Sequence, residues 1–379
     1  MKILLVSTQD YLHHPVPSRH HYIFEELARR HEVHVPHFHV SQGAERKTRL
    51  IVHEATRYPG GGPLVHYTLN APTHFRVLRE IVEDCGIEVV VASHVLAGTA
   101  AIRAARRHRV PVVFDLKDWF PDSAAAYYRN RVARGVIRDA VWYLTRRNLD
   151  RSDRITTVSP SLVGRLRALG YGATLVMNGV DTDRFVPLDG GPTRERLGIG
   201  REEFVLGFEG SVERWYALDR VIAALPGLLE HRPGTRLLVV GGALFTGYME
   251  ELSRQAAALG VRDRVIFTGP VRYHELPGYI ASMDLCLIPL APPQWVSIAL
   301  PNKFFEYSAC GKPILSSPIP DVMAIGGPHL SIYRSEAEFA DRVKEAMDHP
   351  RSFTLDVEGY SWRRRAAEFE GILEGLIRS

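Results

Sequence analysis

The sequence predicts an α/β protein built from two doubly wound domains that face each other across a cleft. Three observations lead there. Continuous Val/Ile/Leu runs alternate with helical stretches in both halves, a Gly-, Asp- and Pro-rich segment without periodicity separates the halves, and 379 residues exceed what one core usually serves. Apolar runs without polar alternation mark strands buried on both faces, hence parallel sheets covered by helices. Ligands of such sheets sit beyond the carboxyl ends of the strands, so the active site is expected between the halves.

The first run, in MKILLVST, is too short for a secretory h-region and reaches Gln9 and Asp10 without a cleavage site, so it reads as a strand. Strands follow at 33–35, 89–92, 112–114 and 155–158. Residues 178–191 (NGVDTDRFVPLDGG) are the hinge candidate. The second half supplies strands at 204–208, 236–240, 264–267, 285–288 and 314–315. No internal repeat stands out.

Composition narrows the class. With 45% hydrophobic and 24% charged residues the chain is globular, and no segment reaches the length of a membrane span. Cys85, Cys286 and Cys310 lie far apart without metal-ligand spacing, which argues for a reducing compartment. The expected location is the cytoplasm, with the inner face of the membrane as a candidate. Net charge is +4, and much of the excess clusters in residues 127–151, where Arg129, Arg131, Arg134, Arg138, Arg146, Arg147 and Arg151 interleave with apolar residues. That spacing predicts a basic amphipathic helix or helix pair, packed on its own domain or touching an anionic membrane surface. No aromatic and basic reading module accompanies the charge, so nucleic acid is not an expected partner.

The segment LPNKFFEYSACGKPILSSPIP (300–320) carries the most chemistry. Pro301 and Asn302 suit a helix N-terminus, Lys303 and Glu306 lie three apart on one helical face, and Cys310-Gly311-Lys312-Pro313 ends the helix before an apolar strand. A cation, a carboxylate and free amides at a helix start match a sugar nucleotide: Lys303 and the amides take a diphosphate, and Glu306 accepts from ribose hydroxyls. An ordinary helix with a solvated salt bridge fits the spacing equally.

Eight segments occur in an order that settles this choice: ITTVSPSL, MNGVDTDRF, GFEGSVERWYALD, RLLVVGG, RVIFTGPV, YHELPGYIASMDLCLIPL, LPNKFFEYSACGKP and YSWRRRAAEF. With them the chain resembles, over nearly its whole length, the GT-B fold glycosyltransferases, closest to retaining family 4 (glycosyl transferases group 1). The resemblance implies two Rossmann-like domains, an acceptor-binding one at 1–185 and a donor-binding one at 186–360, with a last helix within 361–379 crossing back onto the first. On the donor side it implies that Gly210 lets backbone approach a phosphate, and that Gly241, Gly242, Thr268, Gly269 and Val271 border the base. Where the family usually carries an Arg after that Gly and a Lys five residues further, this chain has Ser211 and Tyr216. Ser211 and Arg214 are the nearest replacements. The family's pair of glutamates eight apart is also incomplete, because counting back from Glu306 reaches Ile298. Sugar recognition then falls to Gln294, Ser297 or amides of Ile298, Ala299 and Leu300. Pro301-Asn302-Lys303 is closer to a subfamily of surface-polysaccharide assembly, which supports Lys303 as a phosphate ligand.

On the acceptor side, VVFDLKDWFPD places Asp115, Lys117 and Asp118 at the carboxyl end of a buried strand. The resemblance puts a catalytic or sugar-contacting residue at Asp115. Asp115 or Asp118 either orients or deprotonates an acceptor hydroxyl, or caps the following turn. His94, ending the preceding strand, is a second candidate for the same cleft or a structural histidine. Ser18, Arg19 and His20 stand where many family members carry paired glycines, and Arg19 at a helix start is a candidate for an acceptor or donor phosphate. His13, His14, His20, His21, His31, His34, His37 and His39 crowd the same region. His34, His37 and His39 straddle Pro36 without the spacing of a helical pair and without an acidic ligand, so no metal site is expected. Asp181-Thr182-Asp183 reads as turn chemistry in the linker, not as a metal site.

The expected activity is therefore transfer of a sugar from a nucleoside diphosphate donor to an acceptor hydroxyl with retention of configuration. No cofactor and no metal are expected, and the acceptor is a glycan, a lipid-linked sugar or a small molecule. The rival readings are a GT-B epimerase and a non-catalytic subunit that keeps the fold to bind a partner transferase; retention of Lys303 and Glu306 counts against the latter.

Overall fold

A computed structural model describes residues 1–14, 16–40, 43–58, 63–125, 128, 130–243, 247–291 and 300–378. The chain divides into two units, unit 1 comprising 1–178 and 362–379 and unit 2 comprising 179–361.

Unit 1 runs β1 (Lys2–Val6), α1 (Arg19–Leu27), β2 (Glu32–His37), β3 (Ile51–Glu54), α2 (Pro63–Leu69), α3 (Ala71–Asp84), β4 (Val89–Ala92), α4 (Val95–Arg107), β5 (Val112–Leu116), α5 (Phe120–Ala125), α6 (Arg131–Leu149), β6 (Arg154–Thr157), α7 (Pro160–Ala168) and β7 (Thr174–Leu175). Its strands form one parallel sheet in the order β3-β2-β1-β4-β5-β6-β7. Unit 2 runs α8 (Gly191–Arg196), β8 (Phe204–Glu209), α9 (Leu218–His231), β9 (Thr235–Val240), α10 (Tyr248–Ala258), β10 (Val265–Phe267), α11 (Leu276–Ala281), β11 (Leu285–Ile288), α12 (Asn302–Ala309), β12 (Ile314–Ser316), α13 (Pro320–Ile325), β13 (Leu330–Ile332) and α14 (Glu336–Asp348). Its sheet, also parallel, is ordered β10-β9-β8-β11-β12-β13.

The expected strands are present, and three more appear: β3, β7 and β13. All three are outer strands with half-exposed or exposed residues, so they carry no continuous apolar run to be read. The helix α15 (Trp362–Ile377) returns to unit 1, where Phe369 packs on Phe24 (ring centroids 5.6 Å) and Trp362 stacks on Tyr22 (5.2 Å). Trp362, Phe369 and Leu373 are buried with Ile23, Phe24 and Leu27 of α1; each such side chain contributes about 1.5–3 kcal/mol by leaving water.

The boundary falls earlier than the expected 185/186. Val180 N–H donates to the Tyr360 carbonyl (2.9 Å), and the buried Phe185 meets Tyr273 edge to face at 5.7 Å, so residues 179–185 pack within unit 2. The expected basic helix is present as α6. Trp142 lies against Trp119 at 5.4 Å, but Val132, Val136 and Tyr143 are exposed at 75%, 62% and 63%, so part of its apolar surface faces outward.

Candidate functional site

In unit 2 the backbone after β8 must pass close to the backbone after β9. Gly210 has φ 125° and Gly241 φ 127°, and a Cβ on Gly241 would lie 2.0 Å from the Gly210 carbonyl oxygen, so only glycine fits there. Hydrogen bonds tie the crossing together: Gly210 N–H to Val240 O (2.9 Å), Val212 N–H to Gly242 O (3.0 Å), and Gly241 N–H to Gly269 O (3.1 Å). Thr268 completes this rim, its hydroxyl donating to the Gly269 carbonyl at 2.7 Å, while Val271 is half-buried.

Lys303 in the first turn of α12 points into this crossing. Its ammonium is buried and makes no hydrogen bond to any described residue. It lies 4.0 Å from the Phe208 ring centroid and 3.7 Å from that of Tyr216, and a Cβ on Gly210 would sit 3.1 Å from Nζ. Cation–π attraction holds a desolvated ammonium here without using its three N–H donors. Tyr216 occupies the place where the family usually carries a lysine, so the chain supplies the cation from α12 and uses the loop residue to cushion it. The amides of Asn302 and Lys303, in the first turn of the helix, have no intrahelical acceptor. A buried cation with its N–H donors free of hydrogen bonds to described residues, beside helix-start amides, is a seat for a diphosphate.

Sequence reasoning passed over Glu209, the last residue of β8. It is buried and hydrogen bonded to Glu306, and its own amide donates to the Tyr307 hydroxyl at 2.9 Å. Burial raises Glu306 well above the usual carboxylate range, the Glu209 charge adds to this, and the Tyr273 hydroxyl donates to Glu306 Oε1 at 3.2 Å. Burial also raises Glu209, but Lys303 and the bond from Glu306 oppose it, so the shared proton rests on Glu306. Glu306 therefore does not stand alone as expected: it is buried and bonded to Glu209 and Tyr273. The signal that could have found Glu209 is an acid closing a buried strand directly before a glycine.

Arg214, expected on the diphosphate, is instead exposed and ion-paired with Glu251 of α10, its guanidinium 5.1 Å from the Tyr248 ring. An exposed arginine with a nearer carboxylate takes that partner, and this corrects the expectation. Ser211 is half-buried next to Gly210, and Leu300 is buried ahead of α12. Gln294, Ser297, Ile298 and Ala299 lie outside the described residues.

In unit 1 the expected acceptor residues do converge, but inward. Asp115 is fully buried; Oδ1 accepts from Arg19 Nη2 (3.1 Å) and Thr156 Oγ1 (2.8 Å), and Oδ2 meets His20 Nε2 at 2.9 Å. Arg19 also donates to the Val176 carbonyl at 2.8 Å, and His20 Nδ1 meets Ser7 Oγ at 3.0 Å. The Arg19 charge and these bonds hold Asp115 far below the usual carboxylate range despite burial. Asp115 is thus an interior anchor and not a base facing an acceptor, and Arg19 and His20 are its partners and not phosphate ligands. Ser18 is the N-cap residue of α1, with Oγ 3.0 Å from His21 Nδ1.

His94 caps α4: Nδ1 accepts from the amides of Leu96 and Ala97, both at 3.1 Å. Burial lowers it to about 3, so the ring is neutral with its proton on Nε2, a donor and not a base. Asp118 takes the capping alternative, its Oδ1 accepting from Trp119 N–H at 2.7 Å, and burial raises it. Lys117, between the two aspartates, is half-buried at the end of β5 and lowered to about 8 by burial. Its charge opposes protonation of His14, His20 and His94, which makes it the ionisable centre of this strand end.

Two parallel-sheet units, the second carrying a glycine crossing with a buried lysine, are what a GT-B glycosyltransferase requires, and comparison with known proteins shows that class. Residues 20–184 match the family model described as Glycosyltransferase Family 4, and residues 203–349 match Glycosyl transferases group 1. A GDP-mannose-dependent alpha-(1-6)-phosphatidylinositol monomannoside mannosyltransferase of Mycolicibacterium smegmatis is 28% identical over 376 residues, 92% of each chain. A D-inositol 3-phosphate glycosyltransferase of Actinosynnema mirum is 34% identical over 159 residues, 40% of this chain and 36% of that protein. Among solved structures, sucrose-phosphate synthase from Thermosynechococcus elongatus superposes with a TM-score of 0.78 at 16% identity, covering 100% of this chain and 99% of that one. Anabaena HepE in complex with UDP and glucose gives 0.70 at 19% identity, covering 99% and 95%. The chain belongs to the family 4 type of glycosyltransferases.

Proposed function

We propose that the protein transfers a sugar from a nucleoside diphosphate sugar to an acceptor hydroxyl with retention of configuration and without a catalytic metal. The observation that carries this reading is the buried Lys303 ammonium, which makes no hydrogen bond to a described residue, beside Gly210 and the start of α12. Lys303 and the α12 amides neutralise the departing diphosphate, work otherwise done by a divalent ion. The Glu209 and Glu306 pair holds the ribose hydroxyls. With Asp115 enclosed by Arg19, His20 and Thr156, the departing phosphate itself accepts the acceptor's proton, so no side-chain base is needed.

The similarity to a phosphatidylinositol monomannoside mannosyltransferase supports GDP-mannose as the first donor to test and a lipid-linked or inositol-containing acceptor, with glycoconjugate assembly as the setting. Exposed Val132, Val136 and Tyr143 on the arginine-rich α6 support peripheral contact with an anionic membrane surface. A panel of GDP-, UDP- and dTDP-sugars read by thermal shift tests the donor. Stabilisation by one nucleotide, lost in Lys303→Gln, is the expected result, and transfer should persist when Mg²⁺ and Mn²⁺ are omitted. No shift with any donor would sink the proposal.

A further inference from the structure

We propose that Asp10, His13 and His37 of unit 1 bind a zinc ion. No acidic ligand was expected beside His34, His37 and His39, and the fold brings two, Asp10 and Glu54, to His37. The turn after β1 carries Asp10 and His13, β2 ends on His37, and β3, which pairs with β2, ends on Glu54. Pro36 does not interrupt β2: it pairs in register with His53, and His37 with Glu54.

The geometry is that of a ligand set. His13 Nδ1 lies 3.0 Å from His37 Nε2, and Asp10 Oδ1 lies 3.5 Å from the first and 3.6 Å from the second. The circle through these three atoms has a radius of about 2.0 Å, so a cation about 2.0–2.1 Å from each sits only about 0.6 Å out of their plane, as tetrahedral zinc on three protein ligands does. Two imidazole nitrogens and a carboxylate oxygen are a zinc donor set.

The surroundings fix each ligand. The other ring nitrogen of His37, Nδ1, donates to Glu54 Oε1 at 3.1 Å, which leaves the Nε2 lone pair for the metal; a carboxylate behind a metal histidine is the usual orienting arrangement. Asp10 is buried and held by three amides: Oδ1 accepts from Leu12 (3.2 Å) and His13 (3.1 Å), and Oδ2 from Val40 (2.9 Å). His13 is about one-fifth exposed (19%), which gives the fourth position to water, while His39 stacks on His37 and bonds Glu54 on the other side of that ring. A metal there clamps the turn that leads into α1 to the end of β2. This site belongs to unit 1 and does not depend on the donor reading of Lys303.

A metal-free chain of hydrogen bonds through His13, His37, Glu54 and His39 satisfies the same distances, and the experiment separates the two. Tag-free protein is stripped with a chelator, checked for fold by circular dichroism, and titrated with Zn²⁺ against a chromophoric competitor, with bound zinc counted by mass spectrometry. The control variant is His53→Gln, which breaks the separate His34 to His53 contact of 2.8 Å. The expected result is about one zinc per chain in the wild type and in His53→Gln, little in His13→Gln and His37→Gln, and affinity about 10–100-fold weaker in Glu54→Gln. Co²⁺ substitution should give the visible absorption of a four-coordinate site, and zinc should raise the melting temperature. No stoichiometric zinc in the wild type, or zinc that His13→Gln and His37→Gln both retain, overturns the proposal. His13 lies on a partly exposed turn, so its variant remains informative if His37→Gln fails to fold.

Discussion

Asp115 in unit 1 and Lys303 in unit 2 are both buried charges near the carboxyl end of a parallel strand, and their surroundings treat them oppositely. Asp115 is met by a guanidinium, an imidazole and a hydroxyl, all within 3.1 Å. Lys303 is met by two aromatic faces and by the charge of the Glu209 and Glu306 pair, yet makes no hydrogen bond to a described residue. A charge with every bond made holds a fold together; a charge with its bonds unmade is poised for a ligand.

Replacement of each residue tests that difference. Asp115→Ala should cost about 3–5 kcal/mol of stability, because Arg19 is left buried without its partner. Urea unfolding measures it, and a loss near zero would break the comparison on the unit 1 side. Lys303→Gln should cost less stability than Asp115→Ala, because Lys303 makes no hydrogen bond to a described residue and proton uptake by Glu209 can replace its charge, while lowering the transfer rate by about 10²–10³, equivalent to about 2.7–4 kcal/mol of transition-state stabilisation. A variant that unfolds but still transfers sugar would reverse the assignment.

The units should also respond oppositely to pH. In unit 1 burial lowers His21 to about 3 and His74 to about 4. These lie below the unfolded value of about 6.5, so the unfolded chain takes up protons first and stability falls as the pH drops from about 6.5 towards 4. For each of these two buried groups the slope is up to about 1.4 kcal/mol per pH unit. In unit 2 Glu306 is raised, so its contribution is fully present below about pH 4.3 and is lost as the pH rises through its folded value. Hydrogen exchange, followed for each unit across this range, should show unit 1 loosening in acid and the α12 region firming. The smallest effect belongs to Arg214→Ala, which removes only an exposed ion pair and should change stability by less than about 1 kcal/mol and donor affinity little. A large loss of affinity would restore Arg214 to the donor site.

Much of the architecture was legible because buried parallel strands write themselves as unbroken apolar runs, as 89–92 and 285–288 do. The outer strands β3, β7 and β13 were not, since a half-exposed strand needs no such run. Lys303 could be read from local spacing on one helix. The pairing of Asp115 with Arg19 and His20 could not, because those partners lie 96 and 95 residues away and nothing local distinguishes a bonded carboxylate from a free one. Glu209, at the end of a strand, escaped for the same reason: its meaning comes from Glu306, contributed by a helix far along the chain. The acidic neighbours of His37 could not be read along the chain either, because Asp10 arrives from a turn and Glu54 from the next strand.

The return of α15 to pack on α1 has a consequence for synthesis. Residues 179–361 leave the ribosome as a complete unit before Trp362, Phe369 and Leu373 become available to cover Phe24 and its neighbours. The half that is translated first is therefore the last to be finished, and its exposed α1 surface must wait uncovered through the emergence of the whole second half.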